Sequence, residues 1–176
     1  MSTLRFGALD PRHRARLAEI LGATGVFSES ELAVALEVFD ETFQAAGSSS
    51  YEFLGLFDDV GALAGYACYG ATPGTEGTFD LYWIALDPGA QGRGAGTHLL
   101  GEVEQRLRAE GGRLLIAETS SRPAYEPTRR FYERRGYHEA ARVAEFYAPA
   151  DDRVIYAKRL SPRGAGTAPA QQPSTN

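Results

Sequence analysis

A run of small residues, Gln91-Gly92-Arg93-Gly94-Ala95-Gly96, stands just before a segment whose Leu99, Leu100, Val103 and Leu107 fall at helical spacing. The first turn of a helix carries N–H groups without intrahelical acceptors and a partial positive charge. Glycines at its start let the backbone approach a phosphate closely. Arg93 adds a full charge. The chemistry this permits is the cradling of a diphosphate; the alternative is a tight strand-to-helix turn that holds no ligand. A P-loop is excluded, because the chain has no Gly-x-x-x-x-Gly-Lys. A dinucleotide-binding crossover wants G-x-G-x-x-G near the first strand of a repeated βαβ array. Here other candidate strands precede the loop, and Gly92-Arg93-Gly94-Ala95-Gly96-Thr97 lacks the last glycine.

Carboxylates flank this loop in sequence. Asp80 precedes it on a candidate strand, where strict alternation would put Asp80, Tyr82, Ile84 and Leu86 on one face and Trp83 on the other. Glu118 ends the apolar strand that follows the helix, and functional groups of open sheets collect at such carboxyl ends. The bland reading of each is a solvated or paired carboxylate near a strand end. Cys68 lies in an apolar strand and reads as a small buried residue. His13, His98 and His138 show no metal-ligand spacing, and no metal is expected.

The elements that must position these groups can be read along the chain. Leu4, Phe6 and Ala8 alternate as a strand. Asp10-Pro11 opens a helix that stops at Gly22. Ser28 and Glu31 have capping-box spacing before the stripe Leu32, Leu36, Phe39, Phe43, and the stretch 47–50 breaks that helix. Residues 51–57 and 60–69 read as a hairpin around Asp58-Asp59, and residues 78–86 as the next strand. Strand, glycine loop, helix and the strand 113–119 then form a parallel crossover. A helix over 128–135 closes at Gly136, and strands over 137–147 and 154–160 end the body. The expected class is α/β in the mixed (α+β) sense, with about seven strands and about four helices.

Composition narrows the function. The chain has 176 residues, 43% hydrophobic, and carries a net charge of -5. That length suits one domain, here 1–160, and the tail 161–176 has no bulky apolar residue and is expected to be disordered. The acidic balance disfavours nucleic-acid binding. No apolar run reaches the ~18 residues of a membrane span. With a lone cysteine and no signal-peptide pattern near Met1, a cytoplasmic location is expected.

Gln91-x-x-Gly94-x-Gly96, after a strand ending Ile84-Ala85-Leu86-Asp87-Pro88, resembles the acetyl-CoA signature of the GNAT acyltransferase superfamily. Phe131-Tyr132-Glu133-Arg134-Arg135-Gly136-Tyr137 resembles that family's second signature. The resemblance covers nearly all of residues 1–160 by element order. It implies a mostly antiparallel sheet in which the two parallel strands splay, with pantetheine in the gap against the backbone of Ile84, Ala85 and Leu86. It implies a pyrophosphate on the amides of Gln91, Gly92, Arg93, Gly94, Ala95 and Gly96, beside Thr97. The implied activity is N-acetyl transfer from acetyl-CoA to a primary amine, on a small molecule or a peptide, by direct attack through a tetrahedral intermediate. Tyr132 is the implied general acid, and Asp80, where histone-type members carry a glutamate, or Glu118 the base. Tyr125 stands where the family often has a cofactor-binding Asn, and Arg129 or Arg130 would reach a CoA phosphate. The acceptor would enter between residues 22–28 and 149–153, at a mouth that Glu52, Asp80, Glu118, Asp151 and Asp152 would make acidic. A non-catalytic acyl-CoA sensor, a transferase using another acyl-CoA, and a homodimer through the last strands are compatible with the same signatures.

Overall fold

The helix starts are built as their sequences require. The Asp10 carboxylate accepts from the Arg12 N–H at 2.9 Å, and the Asp10 N–H donates to His13 Nδ1 at 3.0 Å. Ser28 and Glu31 form the reciprocal box: the Glu31 N–H donates to Ser28 Oγ and the Ser28 N–H to Glu31 Oε2. The computed structural model describes residues 4–44 and 49–160. The expected break at 47–50 falls partly, and the expected disordered tail 161–176 wholly, outside the described residues.

The element order is β1 (Arg5–Ala8), α1 (Arg14–Ala23), α2 (Glu29–Gln44), β2 (Glu52–Phe57), β3 (Leu63–Ala71), β4 (Thr78–Leu86), α3 (Ala95–Ala109), β5 (Leu114–Ser120), α4 (Glu126–Glu133), β6 (His138–Ala148) and β7 (Asp151–Arg159). The strands form one sheet in the order β1-β2-β3-β4-β5-β7-β6, antiparallel except for β4 with β5. The expected mixed architecture is therefore what the chain adopts. Two boundaries move for local reasons. Asp58 Oδ1 accepts from the N–H groups of Val60 and Ala62, which draws Val60 into the turn and leaves it 84% exposed. The last turn lies at 149–150 rather than at Asp151-Asp152, with Ala150 in the left-handed region at φ 61°.

Each face of the sheet is covered. Leu54, Leu56, Leu81, Leu115 and Val154 pack against Leu99, Val103 and Leu107 of α3 and Tyr132 of α4. Tyr66, Cys68 and Ala85 pack against Leu17 and Ile20 of α1 and Phe39 of α2. Cys68 is fully buried, as expected of it. Among the described residues no helix is long and apolar enough to cross a membrane.

A buried charge cluster ties α3 to the end of the sheet. Lys158, the only lysine of the chain, places Nζ 2.8 Å from both oxygens of Glu104, whose side chain is 7% exposed. Arg108 and the Tyr137 hydroxyl donate to the same carboxylate at 3.0 and 3.1 Å. Removing one partner of such a cluster leaves an uncompensated buried charge. Glu104→Ala is therefore expected to lower the unfolding free energy by about 3–5 kcal/mol in urea titrations; a loss below about 1 kcal/mol would mean the pair behaves as a solvated one.

The core is rich in phenols. Burial pushes Tyr66, Tyr69, Tyr132 and Tyr137 above the ordinary tyrosine range, and Tyr156 up to about 12. A group whose folded pKa is raised contributes stability that is complete below its unfolded pKa, about 10 here, and is lost as pH rises beyond it. Stability is therefore expected to fall steeply above about pH 10. The 295 nm titration of folded protein should lag behind that of the denatured chain; ionisation of all phenols near pH 10 without unfolding would contradict this burial.

Candidate active site

The ladder between β4 and β5 has four rungs, from Thr78↔Leu114 to Leu81↔Ala117, and then stops. β5 continues against β7 as far as Ser120↔Arg153, while β4 continues against β3 as far as Leu86↔Gly65. The two parallel strands thus part, and a gap opens between 82–86 and 118–120. The cause lies at Tyr82. Cys68 pairs with Trp83 and Tyr69 with Leu81, so Tyr82 is an extra residue in β4, a bulge that bends the strand away from β5.

The bulge also breaks the alternation expected from sequence. Phe79 and Leu81 face α3 and α4, so Asp80 faces the α1/α2 side, as Tyr82 does. Beyond the bulge Ile84 and Leu86 pack on the α3/α4 side instead. Asp80 therefore does not share a face with Ile84 and Leu86. The Asp87 N–H donates to the Ala64 carbonyl at 2.9 Å, and alternation from that bond turns the N–H and C=O of Ile84 and Leu86 toward the gap. Ala85 turns its backbone to β3 and its side chain into the core, so it offers the gap no group.

At the end of β4 the loop prepares a bare helix start. Asp87 accepts from the Gly89 N–H at 2.8 Å and from Arg16 at 2.6 Å, and these partners hold its carboxyl below the usual range. Gly92 and Gly94 adopt φ of 73° and 80°, a conformation other residues reach only with strain. Gly94 caps α3 without a side chain, and the first intrahelical bond is His98 N–H to Gly94 O. The amides of residues 92–97 have no acceptor among the described residues. Gln91 differs from its expected role: its N–H closes the turn onto Pro88 O at 3.3 Å, and its side chain donates to Leu86 O at 3.2 Å. It braces the loop on β4 rather than adding a free amide. Gly96 is buried under Phe131, where a Cβ would stand 3.1 Å from the ring. A cavity of about 760 Å³ lies on the β3 side of this loop, lined by Arg16, Asp58, Asp87, Arg93 and His98, and is separate from the gap.

The α4 residues divide. Tyr132 is 4% exposed, among the rings of Phe131, Tyr137 and Tyr156 at 5.5, 5.4 and 5.8 Å. Burial alone raises its pKa, so the hydroxyl stays protonated. Tyr125 donates to Val26 O at 2.9 Å and so bonds the α1–α2 connection instead of facing the gap. Arg129 donates to Ser120 O and Arg122 O at 2.7 and 3.0 Å, fastening the end of β5, and Arg130 pairs with Glu126 at 2.5 Å. Both expected phosphate ligands are thus committed elsewhere.

Arg135, which the sequence did not single out, lies against the first turn of α3 instead. Its guanidinium lies 3.9 Å over the Phe131 ring, donates to Thr97 Oγ1 in the first turn of α3, and keeps a buried Nε without a partner. Desolvation, then the neighbouring Arg134, lowers its pKa. The only sequence signal was a basic residue just before the glycine that ends α4. Thr119 is the second residue missed. It lies on β5 beyond the last rung with β4, 5% exposed, with no partner for Oγ1.

The mouth is not the acidic one expected. Glu52 lies among Glu110, Arg106 and Tyr69, on the α3 side of the sheet. Glu118 pairs with Arg153, Asp151 with Arg122 at 3.2 Å, and Asp152 with Arg142 at 3.1 Å. Of the five, Glu52 and Asp80 make no ion pair among the described residues; Asp80 accepts from Thr72 Oγ1 at 2.6 Å.

A bare helix start beside two parted parallel strands stands where the two signatures lie, and the chain resembles known proteins. Residues 15–137 match the model of the Acetyltransferase (GNAT) family. No curated protein matches the chain. A structure described as a GNAT-family acetyltransferase from Desulfovibrio desulfuricans is 43% identical, covers 92% of this chain and 100% of its own, and superposes with a TM-score of 0.82. The ribosomal-protein-S18-alanine N-acetyltransferase of Escherichia coli is 21% identical over 94% of this chain and 99% of its own, with a TM-score of 0.72. The PaiA N-acetyltransferase of Thermoplasma acidophilum, solved in complex with coenzyme A, is 18% identical over 89% and 99%, with a TM-score of 0.68. The last two share the fold; the family match and the first neighbour establish more, and the chain belongs to the GNAT family of acetyltransferases.

Proposed function

We propose that this protein transfers an acetyl group from acetyl-CoA to a primary amine by direct attack of the amine on the thioester. The observation that carries the reading is the uncapped start of α3 at the head of the gap between β4 and β5. The open amides of residues 92–97, with Arg93 and Arg135 beside them, suit a diphosphate. The backbone N–H and C=O of Ile84 and the N–H of Leu86, turned to the gap, suit an extended pantetheine added as a short strand. The acetyl thioester supplies the activated acyl group.

The chain's own residues then divide the proton work. A lysine-like amine has a pKa of about 10.4, so its neutral form at pH 7 costs about 4.6 kcal/mol. Asp80 is the better candidate to take that proton, since it carries no cation partner whereas Glu118 is neutralised by Arg153. Tyr132 is the proposed acid for the departing thiolate, its buried phenol held in the protonated form.

Thermal denaturation with coenzyme A tests the site. Saturating ligand is expected to raise the unfolding free energy by about 2.7 kcal/mol at a hundredfold excess over Kd, and no shift at millimolar ligand would remove the proposal. Arg135→Gln is expected to weaken coenzyme A binding about 10- to 100-fold, the size of a lost charge-assisted hydrogen bond. In a thiol-release assay with acetyl-CoA, Tyr132→Phe is expected to cut turnover about 10²- to 10⁴-fold while leaving affinity for coenzyme A intact. Binding without turnover of any amine would reduce the protein to a sensor of acyl-CoA.

A further inference from the structure

The last part of β6, before the turn into β7, is built for more than strand pairing. Val143 pairs with Arg153 and Ala148 with Asp151, so residues 144–147 stand against Asp152 alone. Glu145 sits at φ 51°, a strained conformation for a residue with a Cβ. Asp152 holds it there: its Oδ1 accepts from the Glu145 N–H at 3.0 Å, while its own N–H is fixed to Ser121 Oγ at 2.8 Å. The result is a braced projection that carries Phe146 and Tyr147, each half exposed.

Beneath the projection lies one cation and one anion. Arg153 runs 4.8 Å under the Phe146 ring and gives Nη2 to Glu118, the first residue of β5 past the last rung with β4. Its Nε is buried without a partner, and Nη1 has none among the described residues. The guanidinium is thus half used, and a second carboxylate could complete its fork. Across the gap stands Tyr82, edge-on to Tyr51 with ring centroids 5.0 Å apart. Glu118 lies close enough to both Tyr82 and Tyr147 for its charge to bear on each, and the charge of Arg153 bears on Tyr147.

Charge balance selects the occupant. A polycation would find one free carboxylate at this mouth and would leave Arg153 facing its positive charge. A neutral or purely cationic amine that parts Glu118 from Arg153 leaves one of them uncompensated. A zwitterion meets both at once. Resting on the acetyltransferase reading above, we propose that the acceptor is a free α-amino acid with a bulky apolar or aromatic side chain. Its carboxylate binds Arg153, its ammonium lies toward Glu118 and Asp80, and its side chain packs under Phe146, Tyr147 and Tyr82. The N–C bond forms as the amine adds to the thioester carbon, and the C–S bond breaks when that tetrahedral intermediate collapses. Overall one ammonium and one thioester give one amide, one thiol and one released proton.

The test is a thiol-release assay with acetyl-CoA on phenylalanine, tryptophan, leucine and methionine, each compared with its carboxamide and its decarboxylated amine. The acids are expected to show kcat/KM at least about 10-fold above both partners, the size of one charge-assisted hydrogen bond. Arg153→Gln should bring the acids down to the level of their amides by raising KM, and Arg153→Lys should recover part of the difference; KM for acetyl-CoA and the melting temperature serve as controls for folding. Amides or amines turned over as well as the acids, or a loss in Arg153→Gln that is equal for all acceptors, would overturn the inference. Failure to acetylate any amine would sink the transferase reading instead. Calorimetric binding of the same acids and amides to the coenzyme A-loaded protein would then decide this one: preference for the acids supports it, and equal or absent binding overturns it.

Discussion

Everything at the functional end of this protein follows from the parting of β4 and β5 after Leu81 and Ala117. Parallel strands gain a hydrogen bond for each further rung, so an interior pair that stops after four must be prevented from continuing. The bulge at Tyr82 prevents it on one side. On the other side, β5 is held to β7 as far as Ser120 and its end is fastened by Arg129. The gap is therefore made by what each strand is bonded to elsewhere, and it opens at the carboxyl ends, where α3 begins.

The polar groups left without partners follow the same geography. Buried polar atoms cost about 1–3 kcal/mol each when unsatisfied. Among the described residues four side chains carry such atoms: Tyr66, Thr119, Arg135 and Arg153. Thr119 lies on the parted end of β5, Arg135 against the first turn of α3, and Arg153 at the mouth. The amides of residues 92–97 add to the list. Tyr66 is the exception, buried against α1 and α2; the other open groups gather around one gap, while polar groups elsewhere are closed as thoroughly as in the Glu104 cluster.

The charges of the mouth show why composition misleads about sites. The net charge of -5 and five carboxylates near strand ends and turns suggested an acidic entrance. Three of those carboxylates are spent on arginines distant from them in sequence or across the last hairpin, and one lies on the α3 side of the sheet. What stands at the parted end of β5 is an ion pair of Glu118 with Arg153, the guanidinium lying against the Phe146 ring, so the local arrangement of charge differs from what the sum suggests.

Local order was legible in the residues themselves. The caps at Asp10 and Ser28, the glycine loop before α3 and the apolar stripe within it act over a few positions, so their chemistry is complete in the sequence. So was the element order, because alternation and helical spacing depend on neighbours alone. The bulge at Tyr82 was not, since it exists only through the register with Cys68 and Tyr69, and it moved Asp80 to the face opposite Ile84 and Leu86. The partners of Tyr125, Arg129, Arg135 and Arg153 were not legible either, because a long side chain can reach many groups and only packing decides which one it meets. The sequence by itself determined that a bare helix start would follow a strand. The tertiary structure alone decided how far the neighbouring strand stands from it and which charges line the space between, because both depend on contacts between segments that are remote along the chain.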